Sequence, residues 1–317
     1  MDSRLTSLSS GAVAPTPLPG WALSRGSDEG EADAAFSAGI ALKSIDDLVR
    51  SNSPWAGCWR ERQALTCAAS AVRLMGRNAD EAALRDAVLL TAAGDDPGPA
   101  GNIYLAFKRV VGRKPAPSSK SLGELTALLG LRADETLDAV VEQFDAARQS
   151  GRAVPFAIAE LVSAIYAVRP DAEALAWILA DQLMALRLKW ERPVPLFMAE
   201  RFGRAFKTIG GRGRVLPGEP AFARAVCLAL VDGVDNALRS AGEINRRAER
   251  LAEAARKIRT RGGGIIIEKL LGEDAILASA PGSGLSRWAS TRMFDRLETF
   301  AAVRELSGRS SFKIYGL

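Results

Sequence analysis

The sequence contains no histidine and only three cysteines, Cys58, Cys67 and Cys227. Without histidine there is no Ser-His-Asp or Cys-His arrangement and no His-containing zinc site, and three scattered cysteines fall one short of a Cys₄ site. No cofactor or metal-ligand set emerges, and a non-enzymatic protein is expected. Cys58 and Cys67 lie in helical, apolar settings where a free thiol acts as a small core hydrophobe. Such usage suits a reducing, cytoplasmic location. No apolar run approaches the ~20 residues that span a bilayer; the best stretch, Ala225 to Val234, is interrupted by Asp232. No membrane partner is expected. The first twenty residues, rich in Ser, Pro and Ala, lack a basic segment followed by an apolar core and read as a flexible leader. Aromatic residues are scarce, at 6%. A core built from Ala and Leu instead favours closely packed helices over sheets.

What remains is ordinary globular composition, 48% hydrophobic and 25% charged over 317 residues. This is enough chain for two or so cores. Helix punctuation recurs through a helical domain over 21–209. Ser53-Pro54 opens a helix running to Gly76, because proline at a first helical position has no amide hydrogen to lose. Asn78 with Glu81 reads as a capping box before Ala82, Leu84, Val88 and Leu89. Asp96-Pro97 starts the next helix, and Ser121 with Glu124 another that stops at Gly130. Longer helices are expected over Asp134–Ser150 and Asp171–Trp190, with Pro155 and Pro170 bounding one between them. Pro193 and Pro195 force a break before a restart through Phe197, Met198, Phe202 and Phe206.

The Gly- and Pro-rich run 210–220, with Arg212 and Arg214, marks a domain boundary. Beyond it, 221–261 reads as one long basic helix or two joined near Gly242. Val231, Val234, Leu238 and Ala241 form one apolar stripe. Ile244, Ala248, Leu251, Ala255 and Ile258 resume it in shifted register. Each half is short of the three or four heptads of a coiled coil, so the stripe packs on its own chain or, alternatively, forms a homodimer. The net charge of the chain is +5, and seven basic residues from Arg246 to Arg261 outnumber Glu249 and Glu253 by that same amount. Arg246, Arg247, Arg250, Arg256 and Lys257 are therefore either a solvated face or a stripe toward phosphate.

Three motifs have plainer readings. The run 94–101 (GDDPGPAG) offers adjacent carboxylates to a divalent cation but is better read as a helix cap. The Gly-rich sets at 210–214 and 262–264 lack the Lys-Ser/Thr ending of a P-loop and read as linkers. Trp55 and Trp59, four residues apart, form a core ridge.

The pattern changes over 262–317. Ile265, Ile266, Ile267, Leu270 and Leu271 make a short helix, and Ala275 to Ala278 a second. The run 281–284 (PGSG) is a turn. Ser286 caps a further helix with Ser290, Phe294, Leu297 and Ala301 on one face and Arg287, Thr291, Arg292 and Asp295 on another. A hairpin follows over 302–315, turning at Ser307-Gly308-Arg309, with Val303, Phe312 and Ile314 alternating. Helix, helix, turn, helix and basic-tipped hairpin is the order of a winged helix. The fold class expected is thus mostly α, with a small C-terminal winged-helix-like unit.

The segment 285–317 resembles carboxy-terminal winged-helix segments of several bacterial families, including those appended to Fic-type proteins. The resemblance rests on Ser286, Arg292, Leu297, the Gly308-Arg309 turn and Tyr315. The Fic catalytic motif needs a histidine, so its activity does not transfer. Over most of its length the chain resembles an alphaproteobacterial family known as domain of unknown function 1403. That likeness rests on the segments 54–57 (PWAG) with Trp59-Arg60, 81–86 (EAALRD) and 94–101. It implies a bacterial origin and no particular activity. DNA is the partner expected from the winged-helix reading: Arg287, Thr291 and Arg292 would face base edges, while Arg309 and Lys313 on the hairpin and the basic helix would face phosphate. The alternative is a helical protein–protein interaction module whose winged helix packs rather than binds.

Overall fold

Small residues at helical spacing decide how the first elements pack. In the computed structural model, which describes residues 14–23, 30–92, 94–115, 117–208, 213–257, 262–279, 282–309 and 312–317, a short helix α1 (Gly20–Leu23) precedes α2 (Glu31–Arg50). Ala34, Ala38, Ala41, Ile45 and Val49 of α2 are buried along one stripe, which lets another helix approach closely. The expected flexible leader reaches less far than Gly20, because Leu18 is already buried; residues 1–13 lie outside the described residues.

The chain continues through α3 (Ala56–Leu74), α4 (Glu81–Leu89), α5 (Gly98–Val111), α6 (Ser119–Leu128), α7 (Thr136–Gln149), α8 (Val154–Val168) and α9 (Glu173–Arg187). Two caps differ from expectation. Asp80, not Asn78, caps α4 by accepting from the Ala83 amide at 2.8 Å. Ser118, not Ser121, caps α6, with the Ser121 hydroxyl completing the reciprocal pair. In each case the cap lies beside the first helical residue, where a side-chain oxygen reaches the orphan amides. Asp96 accepts from the Gly98 amide and from the Asn102 side chain, so the 94–101 run does act as a helix start. After Pro193 and Pro195 the restart is only one turn, α10 (Phe197–Glu200), and a 3₁₀ turn follows at Arg204–Phe206.

Phe222–Lys257 forms one unbroken helix, α11, passing straight through Gly242. At 36 residues it is about 54 Å long. It packs chiefly along α2 and also against α8, α10 and α3. Trp55 and Trp59 are both buried and bind α3 to α11: their indole N–H groups donate to Asn245 Oδ1 at 2.9 Å and to the Ala237 carbonyl at 3.0 Å. The shifted apolar stripe, Val231 to Leu251, is buried against the same chain, which is the intramolecular packing of the two alternatives. Ile258, Arg259 and Arg261 lie outside the described residues, as do Gly210, Gly211, Arg212, Pro281 and Ser311.

The last unit consists of α12 (Gly263–Gly272), β1 (Ile276–Leu277), α13 (Arg287–Thr299), β2 (Arg304–Glu305) and β3 (Ile314–Gly316). The strands form an antiparallel sheet in the order β1-β3-β2, with Ile276 opposite Tyr315 and Arg304 opposite Gly316. This corrects one expectation: Ala275 to Ala278 is a strand rather than a second helix. Two apolar residues, Ile276 and Leu277, add an edge to β3, and Ala278 continues it by donating to the Lys313 carbonyl. The order is therefore helix, strand, helix, hairpin. Buried side chains from Leu18 to Leu317, on both sides of the 210–220 run, belong to one hydrophobic cluster. No helix among the described residues is long and apolar enough to cross a membrane.

Candidate nucleic-acid interface

Ser286 starts α13 by accepting from the Ala289 amide at 3.2 Å. From there Ser290, Met293, Phe294 and Leu297 are buried. Phe294 stacks on Tyr315 of β3 at 4.8 Å between ring centroids, and the Ser290 hydroxyl donates to the Ala278 carbonyl beside β1. The helix is thus seated on the sheet by the face predicted from sequence, except that Ala301 falls beyond the helix and is exposed. The opposite face carries Arg287, Trp288 and Arg292. Trp288 is 68% exposed, and the Arg292 guanidinium lies over its ring at 4.6 Å. Arg287 and Arg292 are exposed and, among the described residues, have no carboxylate partner. Thr291 is half-buried and turns its hydroxyl back to the Arg287 carbonyl.

The two hairpin cations are engaged elsewhere. Arg309 pairs with Asp86 of α4 at 2.6 Å, and Lys313 with Asp295 of α13 at 3.8 Å. The expected free basic tip is therefore tied down. The turn itself is held by Glu305, whose carboxylate accepts from the Ser307 and Gly308 amides at 2.7 and 2.8 Å. Burial alone would raise the Glu305 pKa, but these hydrogen bonds outweigh it and hold the carboxyl below its usual range.

On α11 the charges divide. Arg246, Arg250 and Arg256 are exposed with no ion pair among the described residues, whereas Arg247 is half-buried and reaches Glu243 at 3.8 Å. Lys257 lies over the Phe300 ring at 5.2 Å, joining the end of α11 to the end of α13. Arg304 of β2 belongs to the same cationic seam. Burial, together with the positive charges of Arg62, Arg247 and Arg85, pulls its pKa down. Sequence reasoning missed Arg304, because nothing local distinguishes it from a solvated strand residue.

Beneath the sheet lies a buried charge cluster that also escaped the sequence reading. Asp274 accepts from Arg85 Nε at 2.6 Å and from the Arg62 guanidinium, and both arginines are themselves buried. Arg62 also donates to the main-chain oxygen of Leu317 at 3.0 Å, while the Asp274 amide donates to Glu61 at 3.1 Å. Desolvation pushes the Asp274 carboxyl up, but the two guanidinium groups overcome it and hold the pKa below the ordinary carboxylate value. Two short strands, α12, α3 and α4 are thereby fixed to one another. A signal for Arg62 existed: it follows Cys58 by four residues and Trp59 by three, so it lies on the buried stripe of α3.

The three cysteines are free and buried. Burial pushes the Cys58 and Cys227 thiols up to about 12 and Cys67 well above its usual value. None is poised as a thiolate.

Together these elements define a mostly helical protein closed by a small three-stranded sheet, with cationic side chains on the exposed faces of its last two long helices. The chain belongs to the family described as "Protein of unknown function (DUF1403)", which matches residues 6–317. No curated protein and no solved structure matches it.

Proposed function

We propose that this protein is a non-enzymatic, regulatory DNA-binding protein that docks through the first turns of α13, with the exposed cations of α11 toward phosphate. The observation that carries this reading is the group formed by Arg287, Trp288 and Arg292: two arginines without carboxylate partners among the described residues and an indole 68% exposed at the start of one helix. Arginine forks suit guanine edges and phosphate alike, and an exposed aromatic ring adds apolar contact to bases. Arg246, Arg250 and Arg256 supply further phosphate contacts.

Binding of the intact protein to duplex DNA across a salt series tests the proposal. Affinity should fall steeply with salt, as counterion release requires. The double substitution R287A/R292A should weaken binding about tenfold or more and relax sequence preference. R309A should leave affinity nearly unchanged, because Arg309 is held by Asp86. Absence of binding at low salt sinks the proposal. It would favour the second reading, a protein–protein interaction module, which draws support from the inward pairing of Arg309 and Lys313 and the docking of the hairpin on α4.

A further inference from the structure

A second cationic site lies where α2 ends and α3 begins. A cavity of about 340 Å³ is lined by Asn52, Ser53, Gly57, Arg60, Arg192 and Glu268, among others. A neighbouring cavity of about 320 Å³ shares Asn52, Arg60 and Arg192 and adds Lys189. Together they reach the size at which pockets accept small metabolites. The chemistry of the lining is unbalanced. Arg60 donates through Nη1 to the Ala56 carbonyl, but its buried Nε has no hydrogen-bond partner among the described residues. Arg192 is exposed and forms no ion pair among the described residues.

A buried guanidinium nitrogen without an acceptor is costly, and a second guanidinium nearby adds repulsion. Both effects are visible at Arg60, where burial first and Arg192 second pull the pKa down, with Glu191 opposing them only in part. Two further features point the same way. Helix α3 begins beside this cavity: Ala56 and Gly57 of its first turn are on the lining, and its cap residue Trp55 offers no side-chain hydrogen bond, so the positive end of the helix dipole lies next to the site. Asn52 and Lys189 both adopt left-handed backbone, with φ of 48° and 58°, at helix ends where glycine is the common choice. Each brings a polar side chain to the lining where glycine would bring none.

We infer that this cavity binds the phosphoryl group of a small metabolite, gripped between Arg60 and Arg192. Forked guanidinium donors match phosphate oxygens. Glu268 lines the first cavity and Glu191 the second, and these carboxylates offset part of the cationic charge.

Inorganic phosphate titrated into the intact protein, with ionic strength held constant by chloride, tests this by calorimetry and by thermal unfolding. One saturable site is expected. R192Q, at an exposed position, should weaken it about tenfold or more, and R60K, which keeps the charge but loses the fork, should also weaken it. E268Q should tighten it. A nucleoside monophosphate should bind more tightly than phosphate by using the adjoining cavity. The proposal is overturned if stabilisation rises without saturation as for any excluded salt, or if R192Q and R60K bind like the parent. It is also overturned if duplex DNA displaces phosphate and R192Q loses both ligands, which would make the cavity part of the nucleic-acid surface. R287A/R292A should leave phosphate binding intact, so failure here and failure of the DNA-binding reading are separable.

Discussion

Asp274 shows at the scale of one residue how a buried charge is tolerated. Its carboxylate is enclosed, yet both oxygens meet guanidinium groups, from Arg62 and Arg85. Breaking such an arrangement costs more than it would to have built the site from apolar residues, because the surviving charges stay buried and unpaired. D274N should therefore destabilise the protein by roughly 3–5 kcal/mol, read from urea midpoints at neutral pH. The pH dependence has a definite sign. The folded pKa lies below the unfolded value of about 3.9, so the contribution of Asp274 is complete above that value. It is lost as pH falls through the lower folded pKa. The parent should lose stability across that acidic window faster than D274N; parallel acid profiles would refute the assignment. The same scale shows what the sequence could convey. The burial of Trp55 and Trp59 was legible from their helical spacing, and that of Cys58 and Cys67 from their apolar setting. Arg62 was readable by the same rule, but Asp274, some two hundred residues away, becomes its partner only through tertiary packing.

Among the helices, glycine has opposite consequences in two places. Gly57 sits in the first turn of α3 against α12. An added Cβ would come within 2.8 Å of the Gly272 carbonyl oxygen and 2.9 Å of its Cα, both main-chain atoms. G57A should force the two helices apart and destabilise by about 1–3 kcal/mol. Gly242 lies in the middle of α11, where the nearest atoms to an added Cβ are 3.9 and 4.0 Å away. Here G242A should stabilise by about 0.5–1 kcal/mol, because alanine is the better helix former. Paired thermal unfolding of the two variants checks both signs. Whether 221–261 was one helix or two could not be read from the sequence: Gly242 is a weak breaker, and the neighbours that carry the helix across it, α2 and α3, are remote in sequence. The strand at Ile276–Leu277 was missed for a related reason, since two apolar residues carry no period and only β3 makes them a strand.

For the whole molecule, the question is whether the glycine-rich run at 210–220 divides the protein thermodynamically. Side chains on either side share one hydrophobic cluster, and Asp274 ties the final unit to α3 and α4. One calorimetric unfolding transition is expected for the intact chain. Two resolved transitions would show that the run separates independent domains. The mostly helical class followed from composition, because small and straight-chain residues favour helices wherever they fall. The docked hairpin did not, because the pairing of Arg309 with Asp86 depends on where α4 lies.

The sheet order has a consequence in time rather than in space. Among the described residues, Ile276–Leu277 pairs only with Ile314–Gly316, and Arg304–Glu305 pairs only with that same strand. Strand β3 is the shared centre and the last of the three to be synthesised. Until a ribosome has delivered residue 316, neither flanking strand has a partner, and Arg62 lacks the Leu317 oxygen it bonds in the finished fold. The first half of α3, together with α4 and α12, then lacks part of the contacts that fix it in the finished fold. The interval before β3 arrives is the stage of biogenesis at which chaperone engagement, or aggregation in its absence, is expected.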